Sequence, residues 1–429
     1  MCSNGGHVHS GSDLSVMSTR AQASLSDHTE DSNYTSRLSA RSRKNTARNS
    51  TTMITDAKTE RERQKNLRRD SKIWQEDILP RWERTHEAPS RKVLRQQCAR
   101  LSTGGVPPHL RRRVWPLLVA NALRITPELF EMCRKRACSN IEKNAKAAAI
   151  AAAASSNASS NASSNTSSNE SSNTSSSVSR TRAHTLIGRE ATLSLIDVDL
   201  PRTFPQLKLF DSTGPFHAKL KEVLETYACY RPDLGYVQGM SYIAALLCLY
   251  MTDTYQAFCC LANVMIDKNS HFFAFFNLPR TISNEKNRPS AYYAIFNDAL
   301  QEQSKSLHRK MMDLKDNGLE PSVYLFNWLQ TAYLRILPLN VTSRVWDLFL
   351  IDGTPFLFRV GIALLVLFKP YLLEAEFEDS AKLLTNHPSK ENVWEDMVTE
   401  VSLFKQIDSI SLSRGVKERL TRLISGSTR

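Results

Sequence analysis

Cysteine is sparse, eight in 429 residues, at positions 2, 98, 133, 138, 229, 248, 259 and 260. None forms a CxxC pair and no histidine cluster stands nearby, so neither a zinc site nor a disulfide framework is expected. The thiols read as small buried hydrophobes, and the adjacent Cys259 and Cys260 would point in different directions on a helix. The N-terminus has no basic segment followed by an apolar stretch, so no secretory leader is visible and an intracellular protein is expected. Long apolar runs are also missing. The longest charge-free window, between Asp233 and Asp253, approaches membrane-span length but carries Gly235, Gln238, Gly239 and Ser241, and reads as a buried helix. Strand alternation and hairpin signals are scarce. No cluster of nucleophile, base and orienter appears, which disfavours a hydrolase of small molecules. There is no RNA-binding or zinc-finger signature either.

What is present looks globular. Apolar residues make up 41% and charged residues 23%, which excludes a wholly disordered, collagenous or coiled-coil chain. The length exceeds one ordinary domain and also fits one large domain with flanks. The formal charge of +13 is unevenly placed: residues 61–115 hold 15 Lys and Arg against 6 Asp and Glu, nine of the thirteen net charges. Such a stretch is either a solvated basic helix face or a contact for an anionic membrane surface or an acidic partner; nucleic acid, attracted by the same field, is not expected because its binding signatures are missing.

Residues 1–55 are rich in Ser, Thr, Asn, Arg and His with few large apolar side chains, and are expected to be disordered. Residues 56–93 form a basic helical segment, with Ile73, Trp74, Ile78, Leu79 and Trp82 near helical spacing. A short helix is expected over 91–101. An alanine run and a period-four Ser-Ser-Asn-X repeat fill residues 145–180, which read as a low-complexity insertion loop. Helical periodicity then dominates. Helices are expected over 216–230, 240–250, 257–266, 291–313, 322–334, 343–350 and 356–371. The fold class is all-α, a multi-helix domain over 94–405 followed by a helical tail over 406–429.

Three patterns place polar side chains in apolar surroundings. In Ile196-Asp197-Val198-Asp199-Leu200-Pro201-Arg202, the proline should push Leu200 out of α geometry and end the helix, leaving Arg202 at its end with Asp199 near enough to orient the guanidinium. In Tyr236-Val237-Gln238-Gly239-Met240, an amide and a glycine open an apolar helix. In Ser343-Arg344-Val345-Trp346-Asp347 and the following Arg359, aromatic core residues accompany what reads as one salt network of Arg344, Asp347 and Arg359. Taken singly, each has a structural explanation: an ion pair, a helix cap, a core salt network.

Together the patterns resemble the TBC domain, the catalytic domain of Rab GTPase-activating proteins. The likeness runs in order from Gly105-Val106-Pro107-Pro108-His109-Leu110-Arg111 to Trp115, through IxxDxxR at Ile196, Asp199 and Arg202 and YxQG at Tyr236, Gln238 and Gly239, to Arg344–Asp347. Flanking residues 202–205 and 229–233 look most like the subgroup of TBC domain family members twelve and fourteen, which is linked to recycling endosomes and autophagy. Ser241, Leu329 and Asn340 depart from the common family residues.

The resemblance implies a GTPase activator that acts on a Rab-family small GTPase in vesicle trafficking. Arg202 would supply positive charge to the transferring phosphoryl group and Gln238 would position the attacking water. Asp199, Tyr236, Gly239, Arg111 and Trp115 would support them. GTP and Mg²⁺ would belong to the Rab, so no cofactor of its own and no P-loop are expected. A Rab-binding effector or scaffold with little catalysis is the alternative.

Overall fold

The computed structural model describes residues 61–62, 64–85, 101, 105–160, 192–266, 270–277, 289–316, 319–385, 394 and 397–425. The expected disordered tail over 1–55, the short helix over 91–101 except Leu101, and the Ser-Ser-Asn repeat beyond residue 160 lie outside the described residues. The chain divides into two compact units, residues 1–66 with 388–393, and residues 67–387 with 394–429. The described residues of the first are 61, 62 and 64–66, all helical. All others belong to the second.

In that second unit, helical residues 67–73 continue into a π-helical stretch, Trp74–Ile78, and then α1 (Leu79–Thr85), burying Trp74, Ile78, Leu79 and Trp82. Next come α2 (Arg111–Val119), α3 (Pro127–Ser160), α4 (Ser194–Asp199), α5 (His217–Tyr230), α6 (Met240–Tyr250), α7 (Thr254–Ile266) and α8 (Phe272–Phe276). They are followed by α9 (Pro289–Gln303), α10 (Lys305–Asp316), α11 (Pro321–Gln330), α12 (Leu339–Asp352), α13 (Thr354–Leu367), α14 (Lys369–Leu372), α15 (Phe377–Leu384), α16 (Glu400–Ser409) and α17 (Arg414–Ser425). The described residues contain no strand, in line with the all-α expectation.

Two apolar helices show why the core closes. The α6 sequence MSYIAALLCLY buries its residues from Met240 to Cys248 almost without interruption, as an apolar helix must when neighbours surround it. It packs against α5 and α7. The α13 sequence TPFLFRVGIALLVL does the same between α12 and α16, and Gly361 has no Cβ because one would stand 2.6 Å from the Tyr333 hydroxyl. Each large side chain fully withdrawn from water contributes about 1.5–3 kcal/mol. α17 buries Val416 and Leu420 against α9 and α13 in this same unit.

Five expectations need correction. The alanine run is helix, not loop: α3 continues to Ser160, and alanine has the highest intrinsic helix propensity. The helix expected over 291–313 is two helices broken at Ser304, whose hydroxyl accepts from Lys369 Nζ at 3.2 Å. The helix expected over 322–334 stops at Gln330, and that over 356–371 is split between α13 and α14. Arg344, Asp347 and Arg359 do not form one network. Asp347 is taken by the bidentate fork of Arg111, with Nε 3.0 Å from Oδ1 and Nη2 2.9 Å from Oδ2, and by Trp115 Nε1 at 2.7 Å. Arg344 instead pairs with Glu400 at 3.0 Å and lies over the Phe404 ring, while Arg359 donates to the carbonyls of Ile407 and Ile410.

Candidate functional site

The short helix α4 ends at Asp199, yet Leu200 keeps α geometry at φ −54° and ψ −51°, so the expected displacement by Pro201 does not occur. Proline disfavours that region for its predecessor without closing it. The chain instead tightens into a turn. Arg202 N–H donates to the Asp199 carbonyl at 3.1 Å and Thr203 N–H to the Leu200 carbonyl at 3.1 Å. Phe204 then adopts a left-handed φ of 46° with its ring buried, edge-on to Tyr242 at 5.2 Å. Arg202 is thereby left exposed at the head of the turn.

The second segment of the site runs from Gly235 to the first turn of α6. Tyr236 N–H donates to Thr192 Oγ1 at 2.8 Å, and the buried Tyr236 hydroxyl donates to Asp199 Oδ2 at 2.7 Å. Gly239 holds φ at 98°, a left-handed value that glycine adopts without steric cost, and passes the chain into α6. Gln238, one residue earlier, is exposed.

Three side-chain hydrogen bonds fasten these turns together. Besides the bond from Tyr236 to Asp199, Thr203 Oγ1 lies 2.8 Å from Ser241 Oγ, and the Tyr242 hydroxyl donates to the Arg202 carbonyl at 2.8 Å. Asp199 therefore acts on the fold around Arg202 and not on its guanidinium: the carboxylate goes to Tyr236. Neither the Arg202 guanidinium nor the Gln238 carboxamide has a hydrogen-bond partner among the described residues. Burial, with the bond to Asp199, holds the Tyr236 hydroxyl well above the usual phenol range. It is a donor at any working pH.

A third segment borders the site. Gln330, the last residue of α11, is 8% exposed, and its Oε1 lies 3.0 Å from the place a Cβ on Gly239 would occupy. Beyond it, Arg335 is exposed, and its charge opposes the rise that burial imposes on the Tyr242 hydroxyl. Sequence reasoning missed Gln330, Arg335, Thr203 and Tyr242. Ser241, a departure from the common family residue, carries the hydroxyl that meets Thr203. On α5, Glu225 is pushed up to about 7 by burial, against the pull of Lys221, which also pairs with Asp197 on α4.

Arg111 and Trp115 are elsewhere. Arg111 Nη1 donates to the Tyr250 hydroxyl at 3.0 Å, at the far end of α6 from Gly239. An eleven-residue helix at about 1.5 Å per residue puts roughly 15 Å between its ends. Their support is to the frame and not to the turns that bear Arg202 and Gln238. Among the described residues no group of three or more His, Cys, Asp or Glu could hold a metal ion, and no helix is long and apolar enough to cross a membrane. Of the described cysteines, all free, Cys133, Cys229, Cys248 and Cys260 are buried, and burial pushes Cys248 and Cys260 up to about 12.

The ordered motifs lie on an all-α frame, and comparison with known proteins identifies the family. The family described as Rab-GTPase-TBC domain matches residues 108–373, more than half of the chain, and the chain belongs to that family. It is 34% identical to mouse TBC1 domain family member 12 over 346 residues, 81% of this chain and 42% of that one. It is 35% identical to cattle TBC1 domain family member 14 over 339 residues, 79% of this chain and 42% of that one. The subgroup likeness read from the flanking residues therefore holds. The chain spans about two fifths of the length of these relatives. The crystal structure of a Chlamydomonas flagellar RabGAP TBC domain aligns with 84% of this chain and 95% of its own at 16% identity, with a TM-score of 0.48.

Proposed function

We propose that the protein is a GTPase-activating protein for a Rab-family small GTPase. Arg202 and Gln238 enter the partner's nucleotide site in trans. The observation that supports this most is the pair of exposed side chains without partners among the described residues, standing on two turns that a buried carboxylate and four hydroxyls tie together. A side chain engaged in its own fold could not be spent on a partner.

The chemistry follows from what a Ras-like GTPase lacks. Charge spreads over the oxygens of the transferring phosphoryl group, and the attacking water is loosely held. An arginine supplied in trans raises the rate by about 10³ to 10⁵, equivalent to about 4–7 kcal/mol of barrier. Arg202 fits that role because its fork is not committed to a carboxylate. Gln238 offers an amide that accepts from the water with oxygen and donates with nitrogen. GTP and Mg²⁺ are the partner's. The setting we infer is vesicle trafficking, with the basic residues of 61–115 making peripheral contact with an anionic membrane such as an endosomal or autophagosomal surface.

Single-turnover phosphate release from a panel of GTP-loaded Rab-family GTPases tests the reading. At least one should respond, and Arg202→Ala should lower its stimulated rate by about 10² to 10⁴ with ground-state affinity nearly unchanged. Arg202→Lys should recover little, Gln238→Ala should be strongly impaired, and the double variant should be less than additive because both residues serve one transition state. Binding without stimulation, equal in the wild type and both variants, would leave an effector or scaffold.

A further inference from the structure

Gln330 is nearly buried, and its amide keeps an edge open to solvent. It is 8% exposed, yet neither its oxygen nor its nitrogen has a hydrogen-bond partner among the described residues. Such an amide bonds to water in the free protein, and a partner that covers it costs that bond unless another group replaces it. It lies against the site: its Oε1 and Cδ stand 3.0 and 3.3 Å from where a Cβ on Gly239 would be, a tight fit.

The backbone that carries it has little freedom to withdraw. After α11 the Tyr333 N–H donates to the Trp328 carbonyl at 2.8 Å and the Ala332 N–H to the Leu329 carbonyl at 3.1 Å. The Tyr333 hydroxyl reaches the Leu357 carbonyl at 2.8 Å, and Trp328 Nε1 reaches the Leu384 carbonyl at 3.0 Å. No hydrogen bond among the described residues holds the Gln330 amide in one orientation. Its terminal torsion is broad, so the amide can turn either nitrogen or oxygen toward Gly239.

Next to Gly239 stands a second group without a partner. The Gln238 carbonyl oxygen accepts no hydrogen bond among the described residues, and its carbon is bonded to the Gly239 nitrogen. We infer that Gln330 is a positioning residue for the reaction proposed above: in the complex with the GTPase its Nε2–H donates to the Gln238 carbonyl oxygen and fixes the peptide from which the water-holding side chain springs. This rests on the activator reading. It adds a third segment, the end of α11, to the two turns that bear Arg202 and Gln238. Docking of the partner removes water from both groups, so the bond forms where each would otherwise be left desolvated and unpaired.

The test uses the full chain and a responsive GTP-loaded GTPase from the panel, with phosphate release followed at saturating and subsaturating protein. Gln330→Met keeps length and flexibility without donor or acceptor. It should lower the saturating rate about 10- to 100-fold, the loss typical of a misplaced reacting group. The half-saturating concentration, and binding to the GTPase carrying a non-hydrolysable GTP analogue, should move less than about twofold if only positioning is lost. Gln330→Glu, which when ionised keeps an acceptor and loses the donor, should behave alike and carries the test if Gln330→Met fails to fold. The discriminating readout is the background: in Gln238→Ala the residual stimulation should be insensitive to Gln330→Met, since there is no water-holding side chain left to position. A full multiplicative loss in that background, or a Gln330→Met rate within about twofold of wild type, overturns the inference while the activator reading stands. Failure of the wild type to stimulate any GTPase in the panel would instead remove the activator reading, and this inference with it.

Discussion

Asp199 is 8% exposed, and the group that answers its carboxylate is the Tyr236 hydroxyl, not the arginine three residues away. Spacing alone suggested the arginine, because residues three apart at a helix end are neighbours. The turn beyond Leu200 instead points Arg202 into solvent. The consequence is chemical: a guanidinium already forked to a carboxylate would have to give up that bond before meeting phosphate. Tyr236→Phe should test the arrangement, since it leaves a buried acceptor without its donor. It should lower stability by about 1–3 kcal/mol in chemical denaturation, and Asp199→Asn should cost less because a neutral amide is cheaper to leave there. Equal stability of Tyr236→Phe and wild type would show that water or another donor satisfies the carboxylate. Stimulated hydrolysis should fall in both variants through the loosened turn.

At the scale of elements, the sequence was most readable where periodicity and punctuation agree. Met240–Tyr250 was expected at its observed bounds, because Gly239 precedes an unbroken apolar run. It was least readable where tertiary contacts end a helix without a breaker. Nothing local stops the helix at Ser304, whose partner Lys369 lies 65 residues on. The end of α11 is a sharper case. The bonds from Tyr333 N–H to the Trp328 carbonyl and from Ala332 N–H to the Leu329 carbonyl make a Schellman motif, which usually has glycine at its left-handed position. Here Ala332 fills it at φ 45°, followed by Tyr333 at φ 66°, so no glycine announces the turn and Gln330 stayed invisible as a site residue. A non-glycine residue in that region costs about 1–2 kcal/mol, less what glycine loses in the unfolded chain. Ala332→Gly should therefore raise stability by about 0.5–1 kcal/mol with stimulated hydrolysis unchanged. A lower thermal midpoint would mean that the Ala332 methyl, buried in the core, contributes more than the strain costs.

Over the whole molecule, charge is segregated. The bidentate pair of Arg111 and Asp347 joins residues 236 apart inside the frame, with Tyr250 and Ser343 extending the chain of bonds, so that cation is spent on the fold. Others in the basic stretch are not. Arg68 and Arg112 are exposed and make no ion pair among the described residues, whereas Lys72 and Arg81 share their charge with Glu76 and Asp77. Each free cation near an anionic bilayer contributes about 1 kcal/mol, so a handful gives weak, reversible attachment. Since the Debye length shrinks from about 10 Å at 0.1 M salt to about 3 Å at 1 M, such attachment must fade with salt, which an apolar insertion would not. The full chain should co-sediment with phosphatidylcholine vesicles containing phosphatidylserine and not with phosphatidylcholine alone. The bound fraction should collapse by about 0.5 M salt, and Arg68→Glu with Arg112→Glu should remove most of it without altering GTPase stimulation in solution, because neither residue belongs to the turns that bear Arg202 and Gln238. Binding indifferent to phosphatidylserine, or undiminished in the doubly reversed variant, would take the membrane contact away from this stretch and leave its charges as a solvated face.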